Sequence, residues 1–184
     1  MLLLLALAAA QPAIQPCGVD RAALLALPER EFDQDLEGGW RALAAKRRCR
    51  RAAADLIAAY RRAHPQAGSL LRWHEGQLRA GLGEKARAIR LFASARKPDD
   101  PSWNDYVDAT VAFLNRDRRA LAAARARLAA RPKPADWDPR DSEGRPLPIS
   151  WPLNLEVVDG LVRCFGKPYE IAYSHCARPM RITH

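Results

Sequence analysis

Apolar side chains recur at helical spacing through most of the chain, and the periodic segments come in pairs separated by short turns. In the most regular pair, Ser69 precedes a helix that carries Trp73 and Leu78 on its apolar side. A Gly-Leu-Gly turn follows at 81–83, and helical periodicity then resumes over 84–95. The pattern predicts two antiparallel helices that bury one face against each other.

Three further segments show the same pairing, so the sequence predicts an all-α fold of antiparallel helical hairpins. The four predicted hairpins cover about residues 32–63, 69–95, 102–130 and 154–176. Residues 131–150 contain several prolines and acids, which predicts an insertion without regular secondary structure. The acids of this insertion do not have the spacing of an EF-hand calcium loop. We therefore expect one helical domain over 11–184, with a Pro-rich insertion at 131–150.

The first residues of the chain form an apolar run that ends in alanines and is followed by Gln11 and Pro12. A transmembrane helix needs about 20 apolar residues, so this run is too short to be one. Its terminal alanines are typical of a signal peptidase site. We expect residues 1–10 to be a removed signal peptide and the protein to be secreted or periplasmic, with no transmembrane segment.

The even number of cysteines is consistent with export, because disulfides form in oxidising compartments. Four cysteines allow three pairings. We expect Cys17 to pair with Cys49 and Cys164 with Cys176, because short loops close most readily. A zinc site is the alternative, but the chain has no C-x-x-C pair and no histidine at ligand spacing.

The chain has 30 basic and 21 acidic residues, for a formal net charge of +9. Such a charge is typical of proteins that bind nucleic acid or an anionic surface. The densest basic run, at 46–51, has no interleaved aromatic residue on which a base could stack. We expect a solvated basic face that makes weak contact with anionic envelope components, and no specific nucleic-acid binding.

Catalytic patterns are missing from the sequence. His74 and Glu75 begin like the zinc-protease motif H-E-x-x-H, but Leu78 occupies the place of the second histidine. His175 lies beside Cys176, which we expect to be bonded and therefore unable to act as a nucleophile. We find no nucleophile with a base and no paired carboxylates. The sequence predicts a protein that is not an enzyme and has no cofactor or metal ion.

Small and helix-ending residues recur at one fixed interval. Ala88 and Ala122, Ala95 and Ala129, and Pro98 and Pro132 are each 34 residues apart. A second pattern places Gly76 before Ala88, Phe92 and Ala95, and it recurs with weaker matches at Thr110, Ala122, Ala126 and Ala129 and at Gly160, Ala172 and Cys176. On these positions the chain resembles the tetratricopeptide-repeat family. The resemblance implies hairpins stacked as a short right-handed superhelix, while an unrelated helical bundle follows the same packing rules and stays an alternative.

The resemblance also implies a binding surface, because the first helices of successive repeats in this family line a concave groove. The residues that it places there are Trp73, Gln77, Asn104, Asp108, Val111 and Asn154. Their aromatic, amide and carboxylate groups suit an extended peptide. We therefore expect an exported bacterial protein that binds a protein or peptide partner. The alternatives are a secreted inhibitor or immunity-like bundle that uses its basic surface or the 131–150 loop, and an envelope hydrolase.

Overall fold

The computed structural model describes residues 17–141 and 143–177, and this part of the chain is helical without a β-strand. The nine α-helices are α1 (Arg21–Leu25), α2 (Glu29–Gln34), α3 (Gly39–Ala44), α4 (Arg50–Ala63), α5 (Ser69–Gly81), α6 (Lys85–Ala93), α7 (Pro101–Asn115), α8 (Arg118–Ala129) and α9 (Leu155–Arg163). A 3₁₀ turn at Arg47–Cys49 precedes α4, and a π-helix at Ile171–His175 follows α9. The predicted all-α class is confirmed. The expected signal peptide at 1–10 lies outside the described residues.

The long helices pack in the order in which they occur along the chain. Helices α3 and α4, α5 and α6, and α7 and α8 pack as pairs, and α9 packs against the π-helix. Successive pairs are joined by contacts of α4 with α5, α6 with α7, and both α7 and α8 with α9. Local sequence signals set several of the helix ends. Asp100 and Asp117 accept hydrogen bonds from the backbone N–H groups of Trp103 and Ala120, which caps α7 and α8.

Glycine permits close contact at two of the positions that the repeat pattern identified, with a ring at one and with backbone at the other. A Cβ atom on Gly76 of α5 would lie 2.7 Å from Cε1 of Phe92 on α6. In the last hairpin, a Cβ on Gly160 would lie 2.8 Å from the carbonyl oxygen of Ala172. A larger side chain would collide with the Phe92 ring at the first position and with the backbone of Ala172 at the second. These two glycines therefore permit the observed packing of α5 on α6 and of α9 on the π-helix.

The buried apolar residues form two clusters. The larger one is formed by the helices from α5 through α9 and by the segment that follows α9. It contains a group of aromatic rings around Trp73, and the centroid of the Trp73 ring lies 4.5 Å from that of Phe92 and 4.6 Å from that of Tyr106. The smaller cluster joins the N-terminal helices to α4, and in it the Phe32 and Tyr60 rings stack 3.8 Å apart. Interleaved aromatic and alanine side chains thus fill the space between the helix pairs.

One disulfide lies near each end of the described part of the chain. Cys17 bonds to Cys49 and Cys164 to Cys176, with Cα–Cα distances of 5.4 and 6.2 Å. This is the pairing that loop length favoured, and it leaves no free cysteine among the described residues. Disulfides of this kind persist in oxidising compartments. Within the described ranges, no helix is both long and apolar enough to cross a membrane.

The insertion between α8 and α9 is held by contacts of its own. The Trp137 and Trp151 rings meet edge to face at 4.9 Å, and the Trp151 indole N–H donates to the carbonyl oxygen of Arg131. Two of its carboxylates pair with neighbouring arginines, Asp138 with Arg140 and Asp141 with Arg145. Apart from one isolated bridge, its described residues form no regular element.

Candidate binding surfaces

Trp73 does not line an open groove. Its side chain is only 3% exposed and packs among Phe92, Trp103 and Tyr106. The expectation that Trp73 contacts a peptide is therefore corrected. Its position explains the burial, because Trp73 lies one helical turn before Gly76, on the side of α5 that meets α6 and α7.

Two further groove candidates, both on α7, are used in contacts within the protein. The Asn104 side chain accepts from the backbone N–H of Lys97 and donates to the carbonyl oxygen of the same residue. Asp108 forms ion pairs with Arg96, in the loop before α7, and with Arg127 of α8. These contacts fix the loop between α6 and α7 and join α7 to α8.

The last three candidates lie in separate places. Val111 is half-buried against the larger core, and Asn154 precedes α9 with a φ of 65° and lines a cavity with Ala177. Gln77 lines a cavity of about 410 Å³ beside Tyr169 and Tyr173. The structure thus places the six residues in several environments instead of along one groove.

The segment after α9 covers the side of α5 that carries Gln77. We refer to residues 168–177 as the C-terminal segment. Tyr169 of this segment is buried, with its ring 6.0 Å from Phe92 and 6.3 Å from Phe113. Burial raises the pKa of the Tyr169 phenol well above its ordinary value, so the group stays neutral. Its hydroxyl lies near Gln77 without a hydrogen bond of normal geometry.

Glu170 connects the C-terminal segment to the first helix pair. Its carboxylate accepts a hydrogen bond of 2.6 Å from Arg50, which begins α4. This hydrogen bond, the charge of Arg50, and the charges of Arg47 and His175 lower the pKa of Glu170, although partial burial opposes the change. The carboxylate is therefore charged and held among cations at physiological pH.

Cationic side chains surround this contact. A second cavity, of about 490 Å³, shares Gly81, Tyr169 and Glu170 with the first. The basic residues that line the two cavities are Arg41, Arg47, Arg50, Lys85, Arg116 and Lys167, which we call the basic surface. Glu170 is the one acid among the described residues that line either cavity. The surface therefore combines an excess of positive charge with one half-buried aromatic ring, that of Tyr173.

The pair His74 and Glu75 has two different structural roles. Nδ1 of His74 lies 2.7 Å from the buried carboxylate of Asp33, which also accepts from the indole N–H of Trp40. Burial raises the pKa of Asp33, but the hydrogen bond and charge of His74 and the other donors outweigh it, so the pKa is lowered overall. These bonds join α5 to the N-terminal helices.

Glu75 lies in an arginine network between α4, α5 and α6. Its carboxylate, 1% exposed, accepts from Arg61 at 2.6 Å, from Arg87 at 2.9 Å and from Arg79 at 3.4 Å. The guanidinium group of Arg79 is equally buried and also pairs with Asp55 and Glu84. Burial lowers the pKa of Arg79, but the effect of these carboxylates is larger and raises the pKa overall, so Arg79 stays charged.

Sequence reasoning missed the C-terminal segment as part of a surface. The spacing of Tyr169 and Tyr173 places two aromatic residues on one helical face, which was the only local signal. The Arg50–Glu170 pair spans 120 residues, and helical periodicity carries no information about contacts between distant segments.

Comparison with known proteins adds no further assignment. No family model matches the chain, and neither the curated proteins nor the solved structures give a match.

Proposed function

We propose that this chain is an exported bacterial protein with the right-handed superhelix of tetratricopeptide-like repeats, and that it binds a protein or peptide partner without catalysing a reaction. The partner contributes an extended segment with acidic side chains, which binds at the basic surface. The observation that carries the proposal is the concentration of cations around Tyr169 and Glu170.

Charge favours an acidic segment over a neutral one. Six basic residues and one carboxylate line the two cavities, and Arg47, Lys85 and Lys167 make no ion pair with another described residue. Complementary charge speeds encounter and selects among partners, although each exposed contact adds only about 0.2–1 kcal/mol. Several such contacts along one segment are needed for useful affinity.

The chemistry of the cavities suits a peptide with apolar as well as acidic side chains. The half-buried Tyr173 and the half-exposed Ile171 offer apolar contact, and Gln77 offers an amide donor and acceptor. The Arg50–Glu170 pair is an internal example of how a carboxylate is held on this surface. Of the six groove residues predicted from the sequence, this proposal places Gln77 at the binding surface.

The disulfides support the proposed location of the protein. Two disulfides in a small helical domain favour the periplasm or the exterior, where thiols are oxidised. The stacking of helix pairs in chain order and the glycine contacts at Gly76 and Gly160 support the tetratricopeptide-like arrangement.

Fluorescence anisotropy tests the proposal with a labelled peptide of alternating aspartate and leucine, and with the same peptide carrying asparagine in place of aspartate. We expect the aspartate peptide to bind more tightly. Replacing both Arg47 and Lys85 with glutamine should weaken its binding by about fivefold, because two exposed cationic contacts are lost.

The double variant Arg30→Gln with Arg119→Gln is the control, because it removes the same charge from exposed positions outside the basic surface. It should change the affinity by less than about twofold, through long-range screening alone. Equal affinity for the two peptides, or equal weakening by both double variants, would refute binding at the basic surface.

A further inference from the structure

A further cavity with a different composition lies between α4, α5 and α6. Its volume is about 590 Å³, and it is lined by Ala58, Arg61, Arg62, Glu75, Arg87, Arg90, Leu91 and Ser94. Small-molecule sites in proteins commonly have about 300–1,000 Å³ of space. We call it the arginine cavity, because four of its eight lining residues are arginines.

The buried carboxylate of Glu75 fixes two of these arginines. Oε2 accepts from Nη1 of Arg61 and Oε1 accepts from Nη2 of Arg87, at 2.6 and 2.9 Å. A guanidinium group has five N–H donors, so each arginine keeps donors for a ligand after this contact. Glu75 therefore preorganises two cations that come from different helices.

The remaining arginines leave the cavity with excess positive charge. Arg62 and Arg90 are exposed and make no ion pair or hydrogen bond through their side chains with any other described residue. Glu75 also forms an ion pair with the buried Arg79, which does not line the cavity. Several guanidinium groups facing one carboxylate form a site for an additional anion.

We propose that the arginine cavity binds a phosphate group, either free or carried as a monoester by a small molecule. Guanidinium groups match the oxygens of a phosphate in a planar, two-pronged geometry, and a doubly charged group suits a cluster of cations better than a carboxylate does. The cavity exceeds the size of a phosphate ion, which leaves room for the organic part of an ester.

Ser94 adds a feature that fits such an ester. Its hydroxyl donates to the carbonyl oxygen of Leu91 at 2.8 Å, so its oxygen remains an acceptor. An acceptor suits a hydroxyl group of the ligand and not the phosphate itself. The lining contains no aromatic side chain on which a nucleobase could stack, which favours a phosphorylated sugar or polyol over a nucleotide.

Isothermal titration of the full exported chain with glucose 6-phosphate, inorganic phosphate and glucose tests this site. We expect both phosphate compounds to bind and glucose not to bind. Tighter binding of glucose 6-phosphate than of phosphate would identify an ester as the ligand class, and equal binding would identify the free anion. Replacing Arg62 and Arg90 with glutamine should weaken phosphate binding by at least about tenfold, since two charged hydrogen bonds are lost.

Arg62 and Arg90 are suited to this test because their side chains make no hydrogen bond or ion pair with another described residue, so thermal unfolding of the double variant should match that of the parent. The Arg30→Gln with Arg119→Gln variant again removes equal charge elsewhere. Absence of heat with both phosphate compounds, or the same weakening in the control, would overturn the proposal. The test is independent of the basic surface, because the Arg47→Gln with Lys85→Gln variant should bind phosphate as the parent does.

Discussion

Replacing Glu75 with alanine is expected to lower the free energy of unfolding by about 3–5 kcal/mol, the range observed when one partner of a buried ion pair is removed. The side chains of Glu75 and Arg79 are each 1% exposed, so the variant removes a carboxylate from beside a buried guanidinium group. Arg61 and Arg87 would lose the same partner. Chemical denaturation of parent and variant, followed by circular dichroism, measures the difference.

Asp55→Ala is the matched control. Asp55 also pairs with Arg79, at 2.5 Å, but its side chain is 53% exposed. Solvent screening reduces the contribution of such a pair, and Arg79 keeps Glu75 and Glu84. We expect a loss of about 1 kcal/mol or less. A loss at Glu75 that is no larger than the loss at Asp55 would show that the buried network does not stabilise the contact between α4, α5 and α6.

Replacing Phe92 with alanine should have an effect of similar size, about 3–5 kcal/mol, because it opens a cavity in a tightly packed core. The ring is fully buried between Gly76, Trp73 and Tyr169. It therefore joins α5, α6 and the C-terminal segment. The same denaturation measurement applies. Phe165→Ala, at a half-buried ring on the edge of the core, should cost less than half as much.

A double-mutant cycle separates the glycine contact from the general loss of packing. Gly76→Ala alone should cost about 1–3 kcal/mol, because the added Cβ would lie 2.7 Å from the Phe92 ring. In the Phe92→Ala background that clash is gone, so the cost should vanish or become a small gain from the higher helix propensity of alanine. Equal costs in both backgrounds would exclude the close contact between these two residues.

Much of the helical architecture could be predicted from local patterns. Apolar spacing predicted the helix pairs, and Gly76 and Phe92, two positions that the repeat pattern identified, are in contact in the structure. Glycine and a ring at fixed spacing are informative because a residue with a side chain at position 76 would collide with the ring. The cysteine pairing also followed from the sequence, since the shortest loops proved to be the closed ones.

The surfaces were less predictable, because a helical pattern gives a face but not the segment that covers it. Asn104 and Asp108 are polar and look available, yet Asn104 bonds to the loop before α7 and Asp108 pairs with that loop and with α8. Helical spacing could not show that Tyr169 lies over α5 either. For the same reason, helical spacing could not predict that Arg61 and Arg87 pair with Glu75, because the three residues lie on three different helices.

The most direct test of the account is site-specific photo-crosslinking in cells that export the protein. A photoreactive amino acid replaces Lys85 on the basic surface, Leu147 in the insertion or Ala123 on the outer face of α8, all of which are exposed. The account predicts that position 85 captures a partner through one of its acidic segments, identified by mass spectrometry of the crosslinked peptide, and that position 123 captures none. Capture through position 147 with none through position 85 would contradict the account and would support an inhibitor that acts through its insertion.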